Sequence, residues 1–164
     1  MHPTTRYAWK AAAVLSLALA TAPLWAADPD PPAKADKLGS ARALIAQKNW
    51  PGAIAELKKI NDAGNADWNN LMGFSMRKGA TPDFASAEKY YDEALRIDPK
   101  HRGTLEYSGE LYLMTGDLPK AEQRLAALNK ACTLPCDEYT GLKNAVARFK
   151  ANGNKYVEDP SGKW

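Results

Sequence analysis

Histidine and cysteine are scarce in this chain, with two of each in 164 residues. His2 lies in a stretch that reads as an export leader, so a processed chain keeps only His101. One histidine is little material for a Ser-His-Asp or Cys-His arrangement, and "DPKHRG" around His101 holds no nucleophile. G-x-S-x-G, the Walker loop and G-x-G-x-x-G are all missing. Glu106 and Glu110 stand one helical turn apart, and a solvated helix face accounts for them better than an acid–base pair does. The sequence reads as a non-enzyme without a cofactor or resident metal. Long apolar runs are also lacking beyond residue 26, which predicts no membrane span in the mature chain.

Charge of one sign is lacking as well. The 22 basic residues face 19 acidic ones, and two of the basic residues, Arg6 and Lys10, sit in the leader. Without them the balance is 20 against 19, a net charge near +1. That leaves no electrostatic case for nucleic acid or a membrane surface.

What is present begins with the leader itself. Arg6 and Lys10 form a positive n-region, "AAAVLSLALATA" supplies an apolar h-region, and "PLWAAD" offers small residues for cleavage after Ala26. Residues 1–26 are therefore expected to be a signal peptide; an uncleaved membrane anchor is the alternative. About 138 residues then remain, enough for one domain. "ADPDPPAKAD", residues 27–36, is rich in proline and charge and reads as an extended linker.

The organised part repeats. "NWPGAIAELKKI", "DFASAEKYYDEALRIDP" and "DLPKAEQRLAAL" each place a large apolar residue three positions before an alanine. The pairs are Trp50 and Ala53, Phe84 and Ala87, Leu118 and Ala121, so the alanines recur at 34 and 34 residues. A constant period of that length predicts an all-α array of helix pairs. In the third unit Leu105, Gly109 and Tyr112 mark one helix face, "TGD" breaks it, and Ala121, Leu125 and Leu128 mark the next. The second unit does the same with Met72, Gly73 and Met76, then Ala87, Tyr91 and Ala94, around a turn two residues longer. Beyond the third unit, Tyr139, Leu142, Val146 and Phe149 form a stripe on a capping helix that Asn152–Gly153 should end.

These motifs resemble the tetratricopeptide repeat (TPR) family, most closely in "NNLMGFSMRKG…FASAEKYYDEALRIDP" and "GTLEYSGELYLMTGDLPKAEQRLAAL". The first unit departs from the pattern, with Ala41 at a glycine position and no closing proline. The resemblance implies a helix-turn-helix superhelix of about three repeats at 37–66, 67–100 and 101–134. A capping helix over 135–152 and a flexible tail over 153–164 would follow. The type is that of a small exported bacterial member with a C-terminal CxxxC capping segment. It also implies a concave groove for a peptide or protein partner, lined by Arg42, Asn70, Phe74, Arg77, Lys78, Glu106, Glu110 and Leu113, with Met114 a further candidate. Phe74 reads either as an anchor for the partner or as packing against the next repeat. The lysine/asparagine clamp that some members use for C-terminal carboxylates is not reproduced.

Both cysteines fall in "KACTLPCDEY". In an oxidising compartment Cys132 and Cys136 read first as a structural disulfide setting the angle of the cap. The other readings are a copper site on soft thiolates, a redox dithiol, or two reduced thiols. The leading expectation is a periplasmic or secreted scaffold or adaptor that binds a protein. The alternative is a thiol- or copper-handling protein using the cysteine pair, and self-association through the repeats is a third.

Overall fold

The computed structural model describes residues 36–134 and 136–159. The expected leader, most of the linker, Pro135 and residues 160–164 lie outside them. Seven helices follow one another and the described residues form no strand. They are α1 (Gly39–Ala46), α2 (Trp50–Ile60), α3 (Ala66–Lys78), α4 (Phe84–Ile97), α5 (Arg102–Met114), α6 (Leu118–Ala131) and α7 (Asp137–Ala151). The described chain is thus three helix pairs closed by a single helix: an all-α helical-repeat superhelix with a C-terminal cap.

Helix starts carry the period most plainly. The backbone amides of Gly52, Ser86 and Lys120 donate to the side chains of Asn49, Asp83 and Asp117, at 3.0, 3.0 and 3.1 Å. Those three caps, at the head of α2, α4 and α6, are again spaced by 34 residues. Each satisfies an amide that the helix geometry leaves without a partner, which is worth about 1 kcal/mol. Asn65 caps α3 through Trp68, and His101 caps α5 through Thr104.

Contacts between helices define an inner and an outer row. The backbones of successive first helices approach one another, α1 with α3, α3 with α5 and α5 with α7, whereas those of α2, α4 and α6 do not. Helix α6 reaches α4 only through long side chains, Lys120 to Glu88 at 3.4 Å and Arg124 to Asp92 at 3.0 Å. Helices that touch on one side and stand apart on the other describe an arc, so α1, α3, α5 and α7 line its concave side.

Two apolar clusters fill the layers. One joins α1, α2 and α3 around Leu57, Met72 and Phe74. The other joins α4 to α7 around Tyr91, Leu128, Leu142 and Phe149. Met76 and Tyr107 pack against both clusters and make the core continuous. Burying leucines such as Leu57 and Leu142 completely stabilises the fold by about 1.5–3 kcal/mol apiece. Of the expected cap stripe, Leu142, Val146 and Phe149 are buried and Tyr139 is half-buried; Ala145 joins them. Cys132 and Cys136 are joined as a disulfide between α6 and α7, with their Cα atoms 6.0 Å apart.

Close approach of helices explains two glycines. A Cβ on Gly73 would stand 2.7 Å from Tyr91 Cε1 and 3.1 Å from the Ala87 carbonyl oxygen; one on Gly109 would stand 2.5 Å from Leu142 Cδ2. Alanine is the better helix former by about 1 kcal/mol, but at position 73 it meets a fully buried ring and a backbone atom. Gly73→Ala is expected to lower stability by about 1–3 kcal/mol, as overpacking does, read as a fall in Tm by circular dichroism. An unchanged or raised Tm would mean that α3 and α4 are not in this register.

Candidate partner-binding groove

The inner row brings Arg42 and Ile45 of α1 beside Asn70, Leu71 and Phe74 of α3 and Tyr107 of α5, around a cleft of about 240 Å³. Arg42 is exposed at its edge, with Nη2 3.1 Å from Asp67 Oδ2 and Nε 3.5 Å from Asp36 Oδ2. Asn70 is buried and accepts a hydrogen bond of 3.1 Å from the Thr104 hydroxyl, tying α3 to α5. The same seam holds His101. Its Nδ1 accepts from the Thr104 amide at 3.1 Å, which leaves the proton on Nε2, 2.9 Å from Asp67 Oδ1. Burial alone would raise the Asp67 carboxyl, but His101 and Arg42 together hold it below its ordinary value. With both ring nitrogens engaged in this seam, His101 is not positioned to complete a metal site on the cysteines.

Phe74 and Arg77 differ from an exposed groove lining. Each is 2% exposed. Phe74 meets Trp50 edge-on at 5.8 Å and Tyr107 at 4.7 Å, so of its two readings the ring has the packing one. One turn on, the Arg77 guanidinium reaches from α3 to α5 and places Nη1 2.8 Å from Glu110 Oε2 and 3.6 Å from Met114 Sδ. The rings of Phe74 and Tyr107 lie 5.4 and 5.7 Å from its centre. Burial opposes its charge, and Tyr91 and Glu110 more than offset this, so it stays protonated. Leu113 is 1% exposed and belongs to the apolar core of α4 to α7. Its place on α5 turns it away from the groove, because the outer helices pack there. Lys78, half-buried at the end of α3, and Glu110 remain toward the concave side.

Glu106 is the most perturbed acid. Burial first, then repulsion from Glu110 and Glu138, pushes its carboxyl up to about 8, with Arg77 pulling the other way. It is therefore protonated at neutral pH and does not form a carboxylate pair with Glu110.

Residues 81–146 match the tetratricopeptide repeat family. The matched stretch covers α4, α5, α6 and most of α7; of the helices before it, α2 is capped by Asn49 as α4 and α6 are by Asp83 and Asp117. No curated protein matches the chain. Tetratricopeptide repeats typically serve as scaffolds for protein interactions, and the described helices include none long and apolar enough to cross a membrane. The cleft lies largely before the matched stretch and gathers Arg42, Asn70 and Phe74 of the expected residues. Ile45, Leu71 and Tyr107 were missed, although all three fall on apolar helix faces.

Two outcomes follow. Arg77→Ala leaves Glu110 without its cation and opens the joint between the clusters; it is expected to cost about 3–5 kcal/mol, and replacing Glu110 by leucine in the same chain should recover part of it. Chemical denaturation of the single and double variants checks this. For Glu106 the folded pKa near 8 exceeds the ordinary 4.5, so the folded state binds the extra proton. Its stabilising contribution is full below pH 4.5 and is lost as pH rises through 8. Tm should fall between pH 5 and pH 9, and Glu106→Gln should flatten that fall.

Proposed function

We propose that this protein is an exported scaffold or adaptor, resident in the periplasm or secreted, that holds a protein or peptide partner in the groove of its inner helices. No catalytic role and no cofactor is assigned to it. The observation that carries this reading is the cleft bounded by α1, α3 and α5, whose floor is aromatic and whose edge presents Arg42. An apolar floor with charged groups at the edge suits a segment that buries a side chain and aligns by charge. Export is supported by the leader-like residues 1–26 and by a disulfide, which persists in oxidising compartments. Because that disulfide takes both cysteines, the thiol- and copper-handling alternative is not favoured.

Phe74 and Arg77 are unsuited to a binding test, since their truncation attacks the core. Exposed Arg42 and half-buried Lys78 are suited. Arg42→Glu with Lys78→Glu is expected to reduce partner capture from an exported-protein extract at least tenfold while the thermal melt stays within a few degrees. Unchanged capture would remove the groove from the function. Intact mass of chain recovered from the exported fraction should begin near Ala27 and lie two hydrogens below the reduced mass; a chain retaining residues 1–26 would contradict export.

A further inference from the structure

The C-terminal segment, expected as a loose tail, returns to the helices. Gly153 and Asn154 take left-handed backbone angles, φ +64° and +60°, and the Asn154 amide donates to the Phe149 carbonyl at 2.9 Å. This reverses the chain at the end of α7. Tyr156 is then half-buried against the apolar cluster of α4 to α7. Two residues on, Glu158 Oε1 lies 2.5 Å from Lys78 Nζ at the end of α3, and Asp159 Oδ2 lies 3.2 Å from Arg148 Nη2 on α7. Burial, with the Glu110 carboxylate nearby, raises the Tyr156 hydroxyl; Lys78 above all, with Lys48 and Arg77 adding, holds the Glu158 carboxyl low. An acidic, aromatic segment thus lies along a track edged by Lys48, Arg77, Lys78 and Arg148, beside the Arg77–Glu110 pair of the inner row.

How the segment is held matters more than that it is held. Among the described residues no backbone hydrogen bond ties residues 155–158 to a helix. Beyond the Lys155 carbonyl, which accepts from Asn152 Nδ2 at 3.4 Å at the turn, their attachments are side chains: the Tyr156 ring and the screened Glu158–Lys78 ion pair, each weak by itself. Glu158 stays mostly exposed. A segment attached to the helices beyond its turn through side chains can be exchanged for another that presents the same ones.

We propose that residues 154–159 are an internal pseudo-ligand of this track on the inner row, beside the α1–α3–α5 cleft, and that the external partner presents the same chemistry there: an extended segment with an aromatic followed two and three residues later by carboxylates. This rests on the inner row of helices being a partner site, and it adds what the partner looks like and what it must displace. The tail lowers apparent affinity by the fraction of time it leaves the track free.

The test uses the full chain and a fluorescein-labelled synthetic peptide carrying residues 153–164, followed by anisotropy. Tyr156→Ala with Glu158→Ala should free the track and bind the peptide at least tenfold more tightly than the unaltered chain, a difference of about 1.4 kcal/mol. Adding Lys78→Glu and Arg148→Glu to the opened chain, or replacing both peptide carboxylates by amides, should abolish the gain. Because Tyr156 has some burial, the Glu158→Lys single variant serves as a second opened chain, and a melt of each establishes that it is folded. Equal binding by opened and unaltered chains, or none by the opened ones, overturns the inference. Loss of partner capture on reversing Arg42 and Lys78 would then still stand, so the two readings fail separately. If the unaltered chain sediments as a dimer that the tail substitutions convert to monomer, the tail occupies a second copy's groove and the intramolecular assignment is overturned.

Discussion

A single cation holds the two halves of the core together. Arg77 is fully enclosed, and its charge is balanced by Glu110 across the α3–α5 boundary and by the faces of Phe74 and Tyr107. A buried charge is expensive unless its partner and geometry are good. The arrangement of α3 against α5 is accordingly determined where apolar contacts alone would tolerate sliding. Tyr107 and Met76 complete the same joint by packing on both clusters. The cleft at α1, the Asp67–His101–Thr104–Asn70 seam and the track of the C-terminal segment all take their positions from it.

Much of the architecture was legible because the information is local and periodic. Asn49, Asp83 and Asp117 begin helices through hydrogen bonds within four residues, and the apolar stripes need only the helical period. Gly73 and Gly109 were readable as close approaches because a missing side chain among apolar neighbours has few other uses. The cap was readable for a similar reason: the stripe Leu142, Val146, Phe149 had to cover the end of an array.

The groove was less legible, and the misplacements have one cause. Whether a first-helix residue faces solvent depends on what the neighbouring first helix and the returning segment put in front of it. Phe74 and Arg77 lie on the expected inner face, yet Trp50, Tyr107 and Glu110 close over them, contacts that span up to 33 residues. Leu113 was assigned by analogy to a lining position but packs into the outer layer. The docking of Tyr156, Glu158 and Asp159 left no periodic trace, since isolated side chains 80 residues from their partner, as Glu158 is from Lys78, carry no pattern.

The backbones of the outer helices α2, α4 and α6 stand apart, with α4 and α6 bridged only by the long side chains of Lys120 and Arg124, while the inner helices meet directly. In mechanical terms the array is a bow whose outer face has room to close and whose inner face must stretch. Straightening it would draw α1 from α3 and α3 from α5, where inner contact is thin, before disturbing the broad packing of α5 on α7. The molecule is therefore compliant toward its N-terminal pair and stiff toward its disulfide-bearing end, so tension on a bound segment would be felt first at α1.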